Sequence, residues 1–276
     1  METLRQLQQH LPPLALDFFR LCVWLLLLMA MFIPLERLCA RRRQQVFRPG
    51  FGTDLAYYFL NSLLPKILLA LPLSMLAMAL HRFAPGELYA RVAQWPLYLR
   101  FSAALIVGEL GAYWGHRWSH EIPLLWRFHA IHHGAEQMDW LVNTRAHPLD
   151  MAFTRLCGLI PLYALGLAQP AGDAVDAMPL LYAVAGTVWG FFIHANVRWR
   201  FGLLEWLIAT PAFHHWHHVR DGAGPINRNY AAMLPCVDKL FGTLHLPGRR
   251  WPARYGIDPP VSGSMPEQLL QPFERR

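Results

Sequence analysis

The stretch from His116 to His218 opens with HRWSH (116–120), continues through HAIHH (129–133) and closes with HHWHH (214–218). It holds eleven of the chain's fourteen histidines. His147 and His194 stand singly between the second and third strings, and two apolar runs, 151–167 and 178–193, lie in the same interval. Residues three and four apart share a helix face. His116 therefore pairs with His120, His129 with His132 and His133, and His214 with His217 and His218. His215 sits about 100° from His214 on a helical wheel and points less well. Imidazole is the commonest metal ligand in proteins. Eight well-aimed rings, with His194 as a ninth, exceed what one ion takes, since zinc uses four ligands and only three from protein when catalytic. Two metals sharing the set is the economical reading. The Glu-x-x-His pairs of carboxylate-bridged di-iron bundles do not occur in the chain.

The runs around the histidines place them at a bilayer. The chain is 54% hydrophobic and only 16% charged over 276 residues, against roughly 25% charged for soluble proteins. Apolar runs at 14–35, 55–80, 97–114, 151–167 and 178–193 predict about four to five transmembrane helices. The second contains Pro65 and Pro72 and reads either as one bent crossing or as a re-entrant pair. Counting one crossing per run, the segment 36–54, with Arg37, Arg41, Arg42, Arg43 and Arg48, shares a side with 115–150 and with everything after 195. The opposite side carries Arg82 and Arg91 beside the Pro85 loop, and its loop at Asp173 and Asp176 has no basic residue. The positive-inside rule then puts the histidine strings and the C-terminus in the cytoplasm.

The expected fold is all-α. Residues 1–200 form a transmembrane helical domain with the first two histidine strings on its cytoplasmic side. Residues 201–257 form a cytoplasmic helical cap with the third string, and 258–276 a flexible tail. The net charge of +7 is accounted for by the arginine-rich loops, and no basic stretch with interleaved aromatics points to nucleic acid. Cys22, Cys39, Cys157 and Cys236 are scattered without a CxxC pair, so metal chemistry here is histidine chemistry. His10, His81 and His245 stand alone and read as ordinary polar residues. Two function classes fit the residues so far: a redox enzyme, or a histidine-rich membrane metal transporter or metal sensor. A transporter wants ligands at mid-membrane, where the chain offers only Glu109.

The three strings, in this order and spacing, resemble the HxxxH, HxxHH and HxxHH boxes of the fatty acid hydroxylase superfamily, in its bacterial sterol desaturase-like branch. WLVNTRAHPLD (140–150), HAN (194–196), RNY (228–230) and VDKLFGT (237–243) add to the likeness, which runs from about Asp54 to Ile257. The resemblance implies a membrane-bound di-iron enzyme that hydroxylates or desaturates a lipid C–H bond with O₂, in a bacterial inner membrane. It implies two iron ions, for which zinc can substitute in preparations. The implied ligands are His116, His120, His129, His132, His133, His214, His217 and His218, with His194 as the isolated histidine of some branches. His147 reads equally as a ligand or as a group behind one, and His215 falls outside the ligand set, either as a proton donor behind it or as a surface residue. Glu109, Glu136, Asp139, Asn143 and Arg145 are candidates to orient the rings. The sequence carries no cytochrome, flavin or iron–sulfur signature, so a separate ferredoxin-, cytochrome- or flavoprotein-type electron donor is implied. The sequence leaves the substrate, the choice between hydroxylation and desaturation, and the oligomeric state open.

Overall fold

The structure, a computed structural model, describes residues 12–83, 86–168 and 177–274. His10, Pro85 and the Asp173–Asp176 loop lie outside the described residues. Among those described, every regular element is helical, and extended pairing is limited to two isolated bridges, Ala40 to Val197 and Val219 to Tyr255.

Helix α1 (Pro13–Leu38) and helix α2 (Phe51–Phe83) are the long apolar elements. At 1.5 Å per residue they measure about 39 and 50 Å, more than the roughly 30 Å of a bilayer core. Only 11% of the apolar span of each is buried, so neither is the core helix of a soluble protein. Phe19, Leu26, Leu27 and Met31 on α1, and Ile67, Leu71, Met75 and Met78 on α2, project outward, as lipid-facing side chains do. This is a membrane protein. The buried positions of α2, which are Asp54, Tyr57, Tyr58, Asn61, Pro65 and Leu69, follow the i, i+3, i+4 spacing of a single face. The helix runs unbroken through Pro65 and Pro72, so the re-entrant alternative is not the one adopted.

After the short α3 (Gly86–Ala93) come α4 (Leu97–Glu121) and α5 (Pro123–His133). The break between α4 and α5 builds the site. Had the helix continued, His116 and His129 would stand about 20 Å apart. Proline disfavours the α conformation in the residue before it, and Ile122 is accordingly extended (φ −96°, ψ 116°) ahead of Pro123. The chain turns there and folds the second box back onto the first.

Helices α6 (Pro148–Ala164) and α7 (Met178–His194) complete the bundle. At 17 residues each, about 25 Å, they are shorter than a full crossing. The α4–α6 contact is backbone-close. A Cβ placed on Gly111 would stand 2.2 Å from the Cys157 carbonyl oxygen, and one on Gly115 2.8 Å from Cys157 Cβ. Small residues that let backbones touch are the usual device for packing helices in lipid.

Beyond α7 the chain lies over the histidine end, with α8 (Pro211–His217) and α9 (Pro235–Leu240) as its main helices. The arginine-rich loop after α1 joins that end: Arg42 N donates to Asn196 Oδ1 (2.9 Å) and Asn196 Nδ2 to Arg42 O (2.7 Å). Residues 258–274, expected as a flexible tail, instead fold back. Ser264 caps α10 (Met265–Leu270), Thr53 Oγ1 donates to Gly263 O (3.2 Å), and Phe273 packs on Phe128 with ring centroids 5.4 Å apart. The apolar Phe273 and this cap anchor the segment, which composition alone does not reveal.

Candidate metal centre

Nine imidazoles converge in two adjacent clusters. His116, His120, His129, His133 and His217 form a five-ring cluster, and His132, His194, His214 and His218 a four-ring cluster, with all ligand atoms of each within 4.8 Å of one another. The second and third boxes are each split between the two. On α5, His129 and His133, one turn apart, face the five-ring cluster, whereas His132 turns to the other; on α8 and its C-cap His218, His217 and the pair His214 and His218 divide the same way. A step of one residue rotates a helical side chain by about 100°, so the neighbouring HisHis pairs face two different clusters.

The ring nitrogens behave as ligand lone pairs. His116 Nδ1 donates to Tyr230 O (2.7 Å), His132 Nδ1 to Arg145 O (2.8 Å), His194 Nδ1 to Gly190 O (2.7 Å) and His217 Nδ1 to Arg228 O (2.9 Å). His129 Nδ1 donates to Asp150 Oδ2 (3.0 Å), which also accepts from Ser119 Oγ through its other oxygen (3.1 Å). A neutral ring whose proton is held at Nδ1 carries a lone pair on Nε2. His116 and His129 therefore oppose two lone pairs at 3.2 Å, and His132 and His194 two more at 3.3 Å. Facing acceptors in a buried site repel, and a cation between them removes the repulsion. Burial, reinforced by neighbouring rings, holds His129, His132, His133, His214, His217 and His218 well below the usual histidine pKa, so these rings stay neutral and ligand-ready. An all-nitrogen set of this size fits divalent transition ions.

A loop with two left-handed asparagines, Asn227 (φ 56°) and Asn229 (φ 59°), presents two of the accepting carbonyls. Asn tolerates that conformation better than most residues. Asp238 accepts from Tyr230 N and Ala231 N (2.8 Å each), and Asn229 N donates to Thr243 O (3.0 Å). These bonds are the physical content of the RNY and VDKLFGT strings.

The remaining sequence candidates stand apart from both clusters. His147 caps α6: its Nδ1 accepts from Leu149 N (3.2 Å) and its Nε2 donates to Leu269 O (3.3 Å). His215 is fully buried, not on the surface, and contacts Tyr255 Oη (2.9 Å) and Ala195 O (3.1 Å). Burial lowers its pKa to about 3, which leaves it no proton to give as an imidazolium at neutral pH. Glu109 accepts from the amides of Met233 (2.7 Å) and Leu234 (3.0 Å). Asp139 caps the 3-10 turn Trp140–Thr144 and pairs with Arg48. Arg48 also holds Asp54 (2.6 Å), which holds Arg145 (2.5 Å), so this buried chain of charges fixes the carbonyl that His132 uses. Asn143 packs against Gly190 and lines the cavity beside the clusters. Glu136 is an outer ion-pair partner of Arg220 (3.6 Å).

A cavity of about 530 Å³ opens from His116, His129, His132, His194 and His214 and runs between α4, α6 and α7 to Leu162 and Met178. A second, of about 720 Å³, shares Asn143, Met151, Thr154, Arg155 and Tyr182 with it and reaches Leu21, Trp24 and Leu28 on α1.

Residues 101–243, just over half of the chain, match the fatty acid hydroxylase family. The chain belongs to this family. All nine clustered histidines fall inside the matched residues. Ornithine lipid hydroxylase OlsE of Rhizobium tropici is 38% identical over 184 residues, covering 66% of this chain and 53% of that protein. Human alkylglycerol monooxygenase is 32% identical over 165 residues, 59% of this chain and 34% of that enzyme. The rice very-long-chain aldehyde decarbonylase GL1-5 is 29% identical over 140 residues, 48% of this chain and 21% of that enzyme. The chain thus spans about half the length of the first of these relatives and less of the others. No solved structure matches the chain significantly. Nothing among these family members supports the transporter or sensor alternative.

The fatty acid hydroxylase boxes are visible in the sequence, but several of the groups that orient them are not. Asp150 was missed although it ends the WLVNTRAHPLD string; an acidic residue in the first turn of a helix ordinarily reads as a dipole partner. Glu36 directly follows the first apolar run and carries no other mark in the sequence, yet it accepts from Trp140 N and Asn196 N (2.8 Å each) and ties α1 to the site. The carbonyls of Gly190, Arg228 and Tyr230 belong to the backbone and leave no mark in residue identity.

Proposed function

We propose that this chain is an O₂-dependent di-iron oxygenase that hydroxylates or desaturates a C–H bond of a lipid drawn from the bilayer. The observation that carries the reading is the pair of neutral imidazole clusters opening directly onto a largely apolar cavity between membrane helices. His116, His120, His129, His133 and His217 would hold one iron, and His132, His194, His214 and His218 the other. Bound there, the irons supply the oxidising power for an unactivated C–H bond, using O₂, two protons and two electrons from a separate donor. The chain's own part is positional. The Nδ1 contacts keep the rings aimed, the cavity lays the lipid against both clusters, and its apolar wall excludes water. The arginine-rich side and the histidine end face the cytoplasm of a bacterial inner membrane, with α4, α6 and α7 joining α1 and α2 in the bilayer. The names of the relatives, two lipid hydroxylases or monooxygenases and a decarbonylase, support lipid oxidation and do not name this chain's substrate.

The test is anaerobic loading of the purified full chain with ferrous iron, then oxygen uptake with a reductant and a panel of bilayer lipids. The reading expects lipid-dependent uptake and a product heavier by one oxygen or lighter by two hydrogens. A folded protein with two irons per chain that consumes no O₂ with any lipid of the panel would overturn it.

A further inference from the structure

Each carboxylate and imidazole in the wall of the first cavity has a partner among the described residues, and the one guanidinium there stands apart. Glu109 is held by the Met233 and Leu234 amides, Asp150 by His129 and Ser119, and the histidines by one another and by their Nδ1 acceptors. Arg155 makes no hydrogen bond or ion pair with any of the described residues. It is exposed, yet it lines both cavities and belongs to their shared boundary with Asn143, Thr154 and Tyr182. Part of its surface thus faces the cavities.

An unpaired guanidinium in a largely apolar site between membrane helices is expensive, and such residues mark a ligand path. Arginine presents a planar fork of donors that matches a carboxylate or phosphate bidentately. Side chains on a helix lean toward its N-terminus, and on α6 that end carries Asp150, the carboxylate that pins His129. Arg155 stands five residues, about 7.5 Å of helix rise, beyond it. Apolar walls continue on both sides of this point, to Leu162 and Met178 in one cavity and to Leu21 and Leu28 in the other. A charged head at the junction would thus have room for chains in either direction.

We propose that Arg155 is the anion-binding residue of the cavity and that the lipid taken up is an acidic amphiphile, held by its carboxylate or phosphate group. The proposal rests on the lipid-oxidation reading for its biological sense, but its test does not require turnover.

The test is equilibrium binding of three radiolabelled probes to the full chain in a neutral detergent at pH 8: palmitate, hexadecyl phosphate and uncharged hexadecanol. The wild-type chain is expected to bind one of the two anions at least about tenfold more tightly than hexadecanol, as for a charge-assisted bidentate pair. Which anion is preferred distinguishes carboxylate from phosphate. Arg155→Gln is expected to erase that preference while hexadecanol affinity changes by less than about twofold. Arg155→Met, suited to an apolar wall, is the second variant should the glutamine protein not fold. Equal binding of charged and neutral probes by the wild type, or a preference that survives in a folded Arg155 variant, overturns the proposal. Anion preference without oxygen uptake would sink the oxygenase reading and leave the anion site standing. Oxygen uptake without anion preference would do the reverse.

Discussion

The two histidine clusters use the same ligand but are held differently. In the five-ring cluster, His116, His129 and His217 each have an Nδ1 acceptor. In the four-ring cluster, His132 and His194 are fixed in this way, while the Nδ1 atoms of His214 and His218 are buried with no partner among the described residues. The four-ring cluster also supplies three of its members, His132, His194 and His214, to the cavity wall, against two from the other. One cluster is the better-anchored site. The other has fewer rings, fewer of them anchored, and the larger share of the cavity wall. A site that binds tightly and a site that keeps a coordination position open ask for opposite constructions, and the two clusters differ in that direction.

The largest expected effect follows from ligand number. His214→Ala leaves three rings in the four-ring cluster and should lower the metal content toward one ion per chain, with lipid oxidation reduced by more than about a hundredfold. That is beyond the 10- to 100-fold typical of residues behind a ligand. His120→Ala leaves four rings in its cluster and should keep both ions. Metal analysis of the two purified variants checks this, and equal losses would erase the distinction between the clusters.

A smaller effect is expected from Asp150→Asn. The amide can no longer accept as a carboxylate from both His129 and Ser119, and metal affinity at the five-ring cluster should fall about 10- to 100-fold while the four-ring cluster keeps its ion. Titration with a competing chelator separates the two sites.

Gly111→Ala tests the same cluster through packing. The new methyl would stand 2.2 Å from the Cys157 carbonyl, so α4 must move away from α6, carrying His116 and His120 away from Asp150. A loss of about 1–3 kcal/mol, the range for overpacking, should appear as a lower melting temperature in detergent, with metal released first from the five-ring cluster. The smallest change belongs to His147. As a helix cap, its replacement by Ala should cost about 0.5–2 kcal/mol of stability and Asn should largely restore it. Both variants should retain two ions, and loss of an ion from His147→Asn would make this residue a ligand after all.

How far the sequence revealed this arrangement depends on the distance over which each feature acts. The helices, the box geometry and the nine converging rings follow from local spacing, and they were legible. The Ile122–Pro123 break was legible in principle, since it depends on two adjacent residues, but the spacing argument alone treats each box as a separate helix face. The division of His132 from His133, and of His217 from its neighbours, needs the third dimension: the same wheel angle that demoted His215 also sends adjacent rings to different clusters. His147 was undecidable because a capping histidine and a ligand look alike until the Leu149 amide and the Leu269 carbonyl are in view. The crossing count depends on the bilayer, and helices of 17 residues such as α6 and α7 sit at the margin of what can cross.

On this reading two adjacent clusters, built of imidazole alone, would each hold one ion. Anaerobic reconstitution of the full chain with ferrous iron, followed by metal counting and X-ray absorption at the iron edge, tests it most directly. The predicted result is two irons per chain with a light-atom shell of histidine nitrogens and no carboxylate bridge. One iron per chain at saturation, or a shell that requires a bridging carboxylate, would contradict it.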